Sequence, residues 1–284
     1  MSNAEKPMIN YKPNNQFVKD RFHLNYFVKG KGKTDIVFLH GFGLSTYSWI
    51  FIENKFDLEK FRLVLIDLKG SGFSDKPKDG DYSIKAQAEI ITSLLKHLRI
   101  KEFNLIAHSY GGIVGLYLLY LNNGKNIPKA ILEDTPGFND FTPFFIKALK
   151  NPLLRFIGLK LLTPKFLAKK IIKKTFYNDN ESISRLLRQY TYFYSLKHND
   201  RAMIKMAEQL VPKNLDEIIE NYKNIESKIL VVWGENDELV SLVQGQKLKQ
   251  RFKNSEMSII KECGHVPHEE KPNEFFEAIV EFLN

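Results

Sequence analysis

The 284-residue chain predicts an α/β fold, a doubly wound and mostly parallel sheet interrupted by an all-helical insertion after the sixth strand. Three observations carry this expectation. Short apolar runs without alternation, typical of strands covered on both faces, alternate with helical stretches. That rhythm stops across 138–224, where only helical patterns occur. One apolar run, 103–107, breaks at His108-Ser109-Tyr110 and resumes as a glycine-led stretch of helix length.

Taken in order, residues 17–28 read as a strand ending in a hairpin-type turn at Gly30-Lys31-Gly32. Residues 36–39 form a buried strand leading into His40-Gly41-Phe42-Gly43 and then Trp49. A further strand, 61–68, precedes the glycine-rich 69–77. The latter lacks the third glycine and the long following helix of a dinucleotide loop. In 82–98, Ile84, Ala88, Ile91, Leu94, Leu95 and Leu98 recur at helical spacing. Strands 130–132, 229–233 and 257–260 end respectively at Glu133-Asp134, Gly234-Glu235-Asn236-Asp237 and Cys263-Gly264-His265. A helix over 273–282 closes the chain.

Within the insertion, Thr142-Pro143, Asn151-Pro152 and Thr163-Pro164 each pair a capping residue with a proline suited to the first helical position. Three short helices are expected there. The second, 153–162, is apolar almost all round apart from Arg155 and Lys160. The third sets Leu167, Ala168, Ile171 and Ile172 against Lys165, Lys169, Lys170, Lys173 and Lys174. Helices over 181–196, rich in Tyr190, Tyr192, Phe193 and Tyr194, and over 201–210 follow. The expected organisation is a core of 1–137 and 225–284 carrying a helical lid, 138–224.

Hydrophobic content of 43% and charged content of 26% fit an ordinary globular domain. One cysteine, Cys263, permits no internal disulfide and no cysteine metal cluster, which favours a reducing compartment. The polar opening of the chain carries no apolar signal segment, and the longest apolar run, 111–121, is too short to span a bilayer. A cytoplasmic location is the expectation. The net charge of +9 belongs to one segment, because 141–178 holds nine Lys and Arg and no Asp or Glu.

Strand, sharp turn, helix is the setting of a nucleophile elbow. The turn holds the serine hydroxyl above the sheet edge, and strand and helix then pass so closely that flanking positions must be small. Here they are Ala107 and Gly111; glycine is usual at both. A serine hydroxyl attacks well only when a base takes its proton, and the base must be oriented by a carboxylate. Ser109, Asp237 and His265 each fall just past the C-terminal end of an expected strand, the edge where open parallel sheets bind ligands. Asp134 is the rival acid and His268 the rival base. Glu235 and Glu238 read as solvated, His40 and His108 as braces for the backbone, and Cys263 as a packing residue. His23, His97 and His198 carry no expected role.

The motifs HGFG (40–43), DLKGSGFSDKP (67–77), AHSYGG (107–112), WGENDELV (233–240) and GHVPHEEKP (264–272) together resemble those of the α/β-hydrolase family, in the family's order and across nearly the whole chain outside the lid. The resemblance is to its lidded members: carboxylesterases, lipases and carbon–carbon bond hydrolases. It implies Ser109 as nucleophile, Asp237 as the acid and His265 as general base, in the family's chain order. Backbone N–H groups of Phe42 and Tyr110 would form the oxyanion hole, and Phe42, Trp49 and Tyr110 would line the substrate pocket. A serine at the elbow argues against epoxide hydrolases and haloalkane dehalogenases, which need an aspartate there. The lid tyrosines then read as pocket lining or lid core. No metal, flavin or nucleotide cofactor is implied.

The leading expectation is hydrolysis of a carboxylic ester of a fairly apolar small molecule or lipid through an acyl-enzyme. The alternative is carbon–carbon cleavage of a diketone-type substrate by the same three residues, and a third is a ligand sensor that kept the fold without catalysis. The basic lid either meets an anionic membrane peripherally or simply solvates the outside of the lid. Nucleic-acid binding is not expected, since no recognition motif accompanies the charge.

Overall fold

The computed structural model describes residues 15–19, 22–78, 80–138, 146, 151, 163–178 and 182–284. Eight strands form one sheet: β1 (Asn15–Lys19), β2 (Phe22–Lys29), β3 (Thr34–Leu39), β4 (Phe61–Ile66), β5 (Asn104–His108), β6 (Lys129–Glu133), β7 (Lys228–Gly234) and β8 (Ser255–Ile260). Their spatial order is β1-β2-β4-β3-β5-β6-β7-β8. All neighbours from β4 to β8 are parallel, while β1–β2 and β2–β4 are antiparallel. The stretch expected as one strand over 17–28 is therefore two paired strands, with Lys19 opposite Phe22. The turn at Gly30 does not make a hairpin, because β2 pairs with β4 rather than with β3.

Alternation along the strands sorts their side chains to two cores, since successive side chains point to opposite faces. Val37 and Leu39 of β3 join Leu105, Leu132 and Val231 on one face. Ile36 and Phe38 join Ile106, Ile131 and Val232 on the other. Helices α1 (Ile84–His97) and α2 (Tyr110–Leu121) cover the first face. The C-terminal helix over 272–283 and the 3-10 turn Thr46–Phe51, with Trp49 inside it, cover the second. Helix α1 starts where the Ser83 side chain accepts the Ala86 N–H, a cap that satisfies one of the helix's orphan donors.

Between β6 and β7 the described residues form α3 (Pro164–Thr175), α4 (Ile183–Ser195), α5 (Asn199–Glu208) and α6 (Leu215–Asn221). Thr163 caps α3 by accepting the Phe166 N–H, with Pro164 at the first turn, as the Thr-Pro pair predicts. Ala168 and Ile172 are buried and all five lysines of α3 are exposed, so the expected division of faces holds. The helices expected from Thr142-Pro143 and over 153–162 lie outside the described residues. Helix α6 carries no signal that the sequence reading used. After β7 come α7 (Leu242–Arg251), α8 (Pro267–Glu270) and α9 (Pro272–Leu283). Among the described residues no helix is long and apolar enough to cross a membrane.

Candidate active site

Ser109 stands between β5 and α2 with φ 50° and ψ −111°, a conformation that L side chains rarely adopt. Holding it costs about 1–3 kcal/mol, which the packing on either side must over-determine. The Ser109 N–H donates to the Glu133 carbonyl oxygen across the end of β6 at 2.9 Å. On the helical side, a Cβ at Gly111 would lie 2.3 Å from the Leu39 carbonyl oxygen, so α2 approaches the end of β3 as only glycine permits. The methyl of Ala107, unusual at its position, is accommodated by Gly115, whose own Cβ would lie 3.3 Å from it.

The structure brings together the three residues singled out by order and placement. His265 Nε2 lies 3.0 Å from Ser109 Oγ, and His265 Nδ1 lies 2.7 Å from Asp237 Oδ2. The other Asp237 oxygen accepts the backbone N–H groups of Leu239 and Val240 at 2.7 and 3.0 Å. Both carboxylate oxygens are thus engaged, and the Asp237 side chain is fully buried. The imidazole loop is fixed from two further directions. The His265 N–H donates to the Thr175 carbonyl oxygen at 2.6 Å, and its own carbonyl lies 2.8 Å from His108 Nε2. Such an arrangement places a base within reach of the Ser109 proton and holds it at the right tautomer.

The rivals are accounted for as well. Asp134 is fully buried with φ 42°, and its Oδ1 accepts the Gly234 N–H at 3.1 Å. It lies beside the site, since ligand-type atoms of Asp134, Asp237 and His265 fall within 4.8 Å of one another. Burial first and then the neighbouring Asp237 charge raise its carboxyl well above the usual range. His268 is fully buried against Glu133, with Nδ1 2.8 Å from Oε1 and its backbone N–H on the same oxygen at 2.9 Å. Burial lowers the imidazole pKa well below its ordinary value and lifts the Glu133 carboxyl to about 7.

His40 and His108 do brace backbone. His40 Nε2 accepts the Leu68 N–H at 3.0 Å while Nδ1 faces the Gly41 carbonyl at 2.8 Å. The Cys263 thiol is buried, which pushes its pKa up and suits a packing residue. Glu235 is exposed, and exposed Glu238 pairs with Lys174. The Phe42 and Tyr110 rings meet edge to face, 5.9 Å apart. Trp49, expected at the pocket, is instead fully buried in the core, its ring 5.4 Å from Phe38 and 4.3 Å from His268. An indole enters the core here because the Thr46–Phe51 turn carries it inward under β3, a placement its motif neighbourhood does not reveal. The Tyr110 hydroxyl likewise points to Gln87, 3.2 Å away.

Sequence reading passed over three carboxyls that the structure draws inside. Glu133 serves His268, as described. Fully buried Glu269 accepts the Tyr190 hydroxyl from α4 at 2.5 Å, and burial raises its pKa to about 8. Glu270 accepts the Gly264 N–H at 2.7 Å and the Tyr177 and Asn178 N–H groups at 3.0 and 2.8 Å, tying α3 to the histidine loop. No local signal in Pro267-His268-Glu269-Glu270 marks Glu269 and Glu270 as buried. One turn along α2 from Ser109, Ile113, Pro136, Phe138, Leu210, Leu215 and Tyr222 line an apolar groove.

A strained serine at a strand-to-helix turn, on the carboxyl edge of a parallel sheet and facing an oriented histidine, defines the hydrolase class built on this fold. The chain belongs to the alpha/beta hydrolase fold family, whose model matches residues 35–272. It is 27% identical over 272 residues to the 2-hydroxy-6-oxononadienedioate/2-hydroxy-6-oxononatrienedioate hydrolase of Escherichia coli O81 (strain ED1a), covering 93% of this chain and 91% of that protein. Two solved structures share the fold. An esterase from Exiguobacterium antarcticum superposes with a TM-score of 0.79 at 19% identity, covering 92% of this chain and 96% of the other. The meta-cleavage product hydrolase CumD of Pseudomonas fluorescens IP01 does so with a TM-score of 0.78 at 18% identity, covering 95% and 97%. The protein is an enzyme of the alpha/beta hydrolase class.

Proposed function

We propose that the enzyme hydrolyses the carboxylic ester of a fairly apolar small molecule or lipid through an acyl-enzyme, in the cytoplasm. The observation that carries this reading is His265 standing between Ser109, 3.0 Å away, and Asp237, 2.7 Å away. Ser109 Oγ attacks the ester carbonyl carbon as its proton passes to His265 Nε2, and the carbonyl electron pair moves onto oxygen. That oxyanion is held by the backbone N–H groups of Phe42 and Tyr110, each such donor contributing roughly 2.7–4 kcal/mol to transition-state stabilisation. Collapse of the intermediate breaks the bond to the alkoxy group, which leaves with the proton from His265. Water, deprotonated by His265, then attacks the acyl-enzyme and releases the acid and free Ser109.

The helices between β6 and β7 act as the lid in this reading, within 138–224. Supporting it, a Cβ at Gly43 would lie 3.3 Å from Met203 Cε and 3.4 Å from the Tyr194 hydroxyl, so α4 and α5 close directly over the HGFG loop. Fluorophosphonate labelling together with turnover of short-chain aryl esters tests the reading. Labelling and turnover that vanish in Ser109→Ala are expected; full turnover in that variant, or none in the folded wild type, overturns it.

A second reading, carbon–carbon cleavage of a vinylogous diketone by the same residues, is favoured by one observation. The E. coli relative, a 2-hydroxy-6-oxononadienedioate hydrolase, matches over nearly the whole chain. Turnover of such diketones beside inertness toward simple esters decides for it.

A further inference from the structure

Helix α3 presents a row of lysines that, Lys174 apart, meets no acidic side chain in ion-pair range among the described residues. Lys165, Lys169, Lys170, Lys173 and Lys174 are all exposed, and the helix holds no acidic residue. Three pairs of these lysines stand four residues apart, a spacing at which like charges weaken a helix. Lys174 pairs with Glu238, but among the described residues the other four lysines have no acidic partner in ion-pair range. Two large apolar side chains flank the row. Phe166 is 46% exposed at one end, with Lys170 Nζ over its ring at 5.1 Å, and Tyr177 is 51% exposed at the other. An exposed cationic row with aromatic rings at its margins matches an anionic lipid surface, where amines meet headgroups and rings reach the acyl boundary. A nucleic acid would use the charge and leave the rings in water.

The inner side of the same helix is fastened to the histidine loop. The Thr175 carbonyl accepts the His265 N–H at 2.6 Å, and a Cβ on Gly264 would lie 2.2 Å from that same oxygen. Glu270 then joins the two segments, taking N–H groups from Gly264 on one side and from Tyr177 and Asn178 on the other. We propose that the lysine face of α3 docks on anionic membrane, and that docking steadies His265 through the Thr175 carbonyl. The docking half stands on this surface alone; its meaning for turnover rests on the hydrolase reading of Ser109, Asp237 and His265.

The test uses the full chain and vesicles of phosphatidylcholine, alone or with roughly a third of the lipid replaced by phosphatidylglycerol. Co-sedimentation is expected only with the anionic vesicles and is expected to fall away in high salt. Replacing four lysines together (Lys165→Gln, Lys169→Gln, Lys170→Gln and Lys173→Gln) should weaken partitioning by about a hundredfold or more. Stability and soluble-ester turnover should stay unchanged. Phe166→Ser supplies a second, charge-neutral lesion that should weaken binding further. Absent binding, salt-insensitive binding, equal binding by the lysine variant, or preference for duplex DNA over the vesicles overturns docking. For the coupling, backbone hydrogen exchange at His265 should slow by roughly tenfold on anionic vesicles in the wild type and not in the lysine variant. Unchanged exchange in vesicle-bound protein overturns it. Vesicle binding with slowed exchange but no ester turnover leaves both halves standing and removes only the ester reading of the site.

Discussion

Two histidine–carboxylate pairs lie three residues apart in this protein. His265 meets Asp237 at 2.7 Å and His268 meets Glu133 at 2.8 Å, both among buried side chains. By composition and distance they are near copies. They differ in what the second imidazole nitrogen finds. His265 Nε2 reaches a serine hydroxyl held above the sheet edge, whereas His268 Nε2 has no hydrogen-bond partner among the described residues and its ring packs on Trp49. A buried ion-pair motif is thus not chemistry in itself. One pair is aimed at the Ser109 hydroxyl on the carboxyl edge of the sheet, and the other ties the end of β6 to the start of α8.

The largest effect expected from this contrast is at Ser109. Ser109→Ala should lower kcat for an aryl ester by about 10⁴-fold or more while leaving thermal unfolding nearly unchanged, which paired kinetics and calorimetry would show. Next is Asp237→Asn, which keeps the shape but lets the imidazole take the wrong tautomer; a loss of about 10⁴-fold in kcat is expected. Asp134, a buried carboxyl within 4.8 Å of both Asp237 and His265, sharpens this measurement. A loss of only tenfold in Asp237→Asn that deepens to about 10⁴-fold when Asp134→Asn is added would mean that Asp134 takes over.

The companion pair should respond in the opposite currency. His268→Ala removes a buried ring and one of the two hydrogen bonds to Glu133 Oε1, the backbone N–H of residue 268 remaining, so it should cost about 3 kcal/mol of stability. In the fraction that remains folded, kcat should change by less than about threefold, a bound well under the effect of losing a reacting group. Denaturant titration with activity normalised to folded protein separates the two, and a large kcat defect at full stability would erase the contrast.

The smallest effect is a pH slope. Burial raises the Glu133 carboxyl from 4.5 to about 7, so the folded state binds its proton more tightly than the unfolded chain does. That contribution to stability is complete below about pH 4.5 and is lost as the pH rises through about 7. Glu133→Gln removes this titration. Urea midpoints of the wild type should therefore fall relative to the variant across that window, and parallel curves would refute the assignment.

Much of the site was legible because each element announces itself locally. Ser109 follows an unbroken apolar run and precedes glycines, Asp237 follows a tryptophan–glycine strand end, and His265 follows a glycine. The Gly-x-x-Asp match then favoured Asp237 over Asp134, and the resemblance of the segment 264–272 to the family's favoured His265 over His268. Trp49 shows the limit: its position after the HGFG loop suggested the pocket, yet its ring is inside the second core. Glu269 shows the same limit from the other side. Nothing in a Pro-His-Glu-Glu string tells that one carboxyl meets Tyr190 from a helix 79 residues earlier, because a contact between distant segments has no local period.

The sequence by itself determined the parallel sheet, the elbow turn and the lysine face of α3, since these follow from periodicity, small residues and spacing, while the family resemblance of its motifs pointed to Ser109, Asp237 and His265. Only the tertiary structure decided which carboxyls go inside, which histidine faces Ser109, and that α3 grips the His265 loop through Thr175. Burial and hydrogen-bond partners are properties of segments brought together by packing, and packing depends on the whole chain at once.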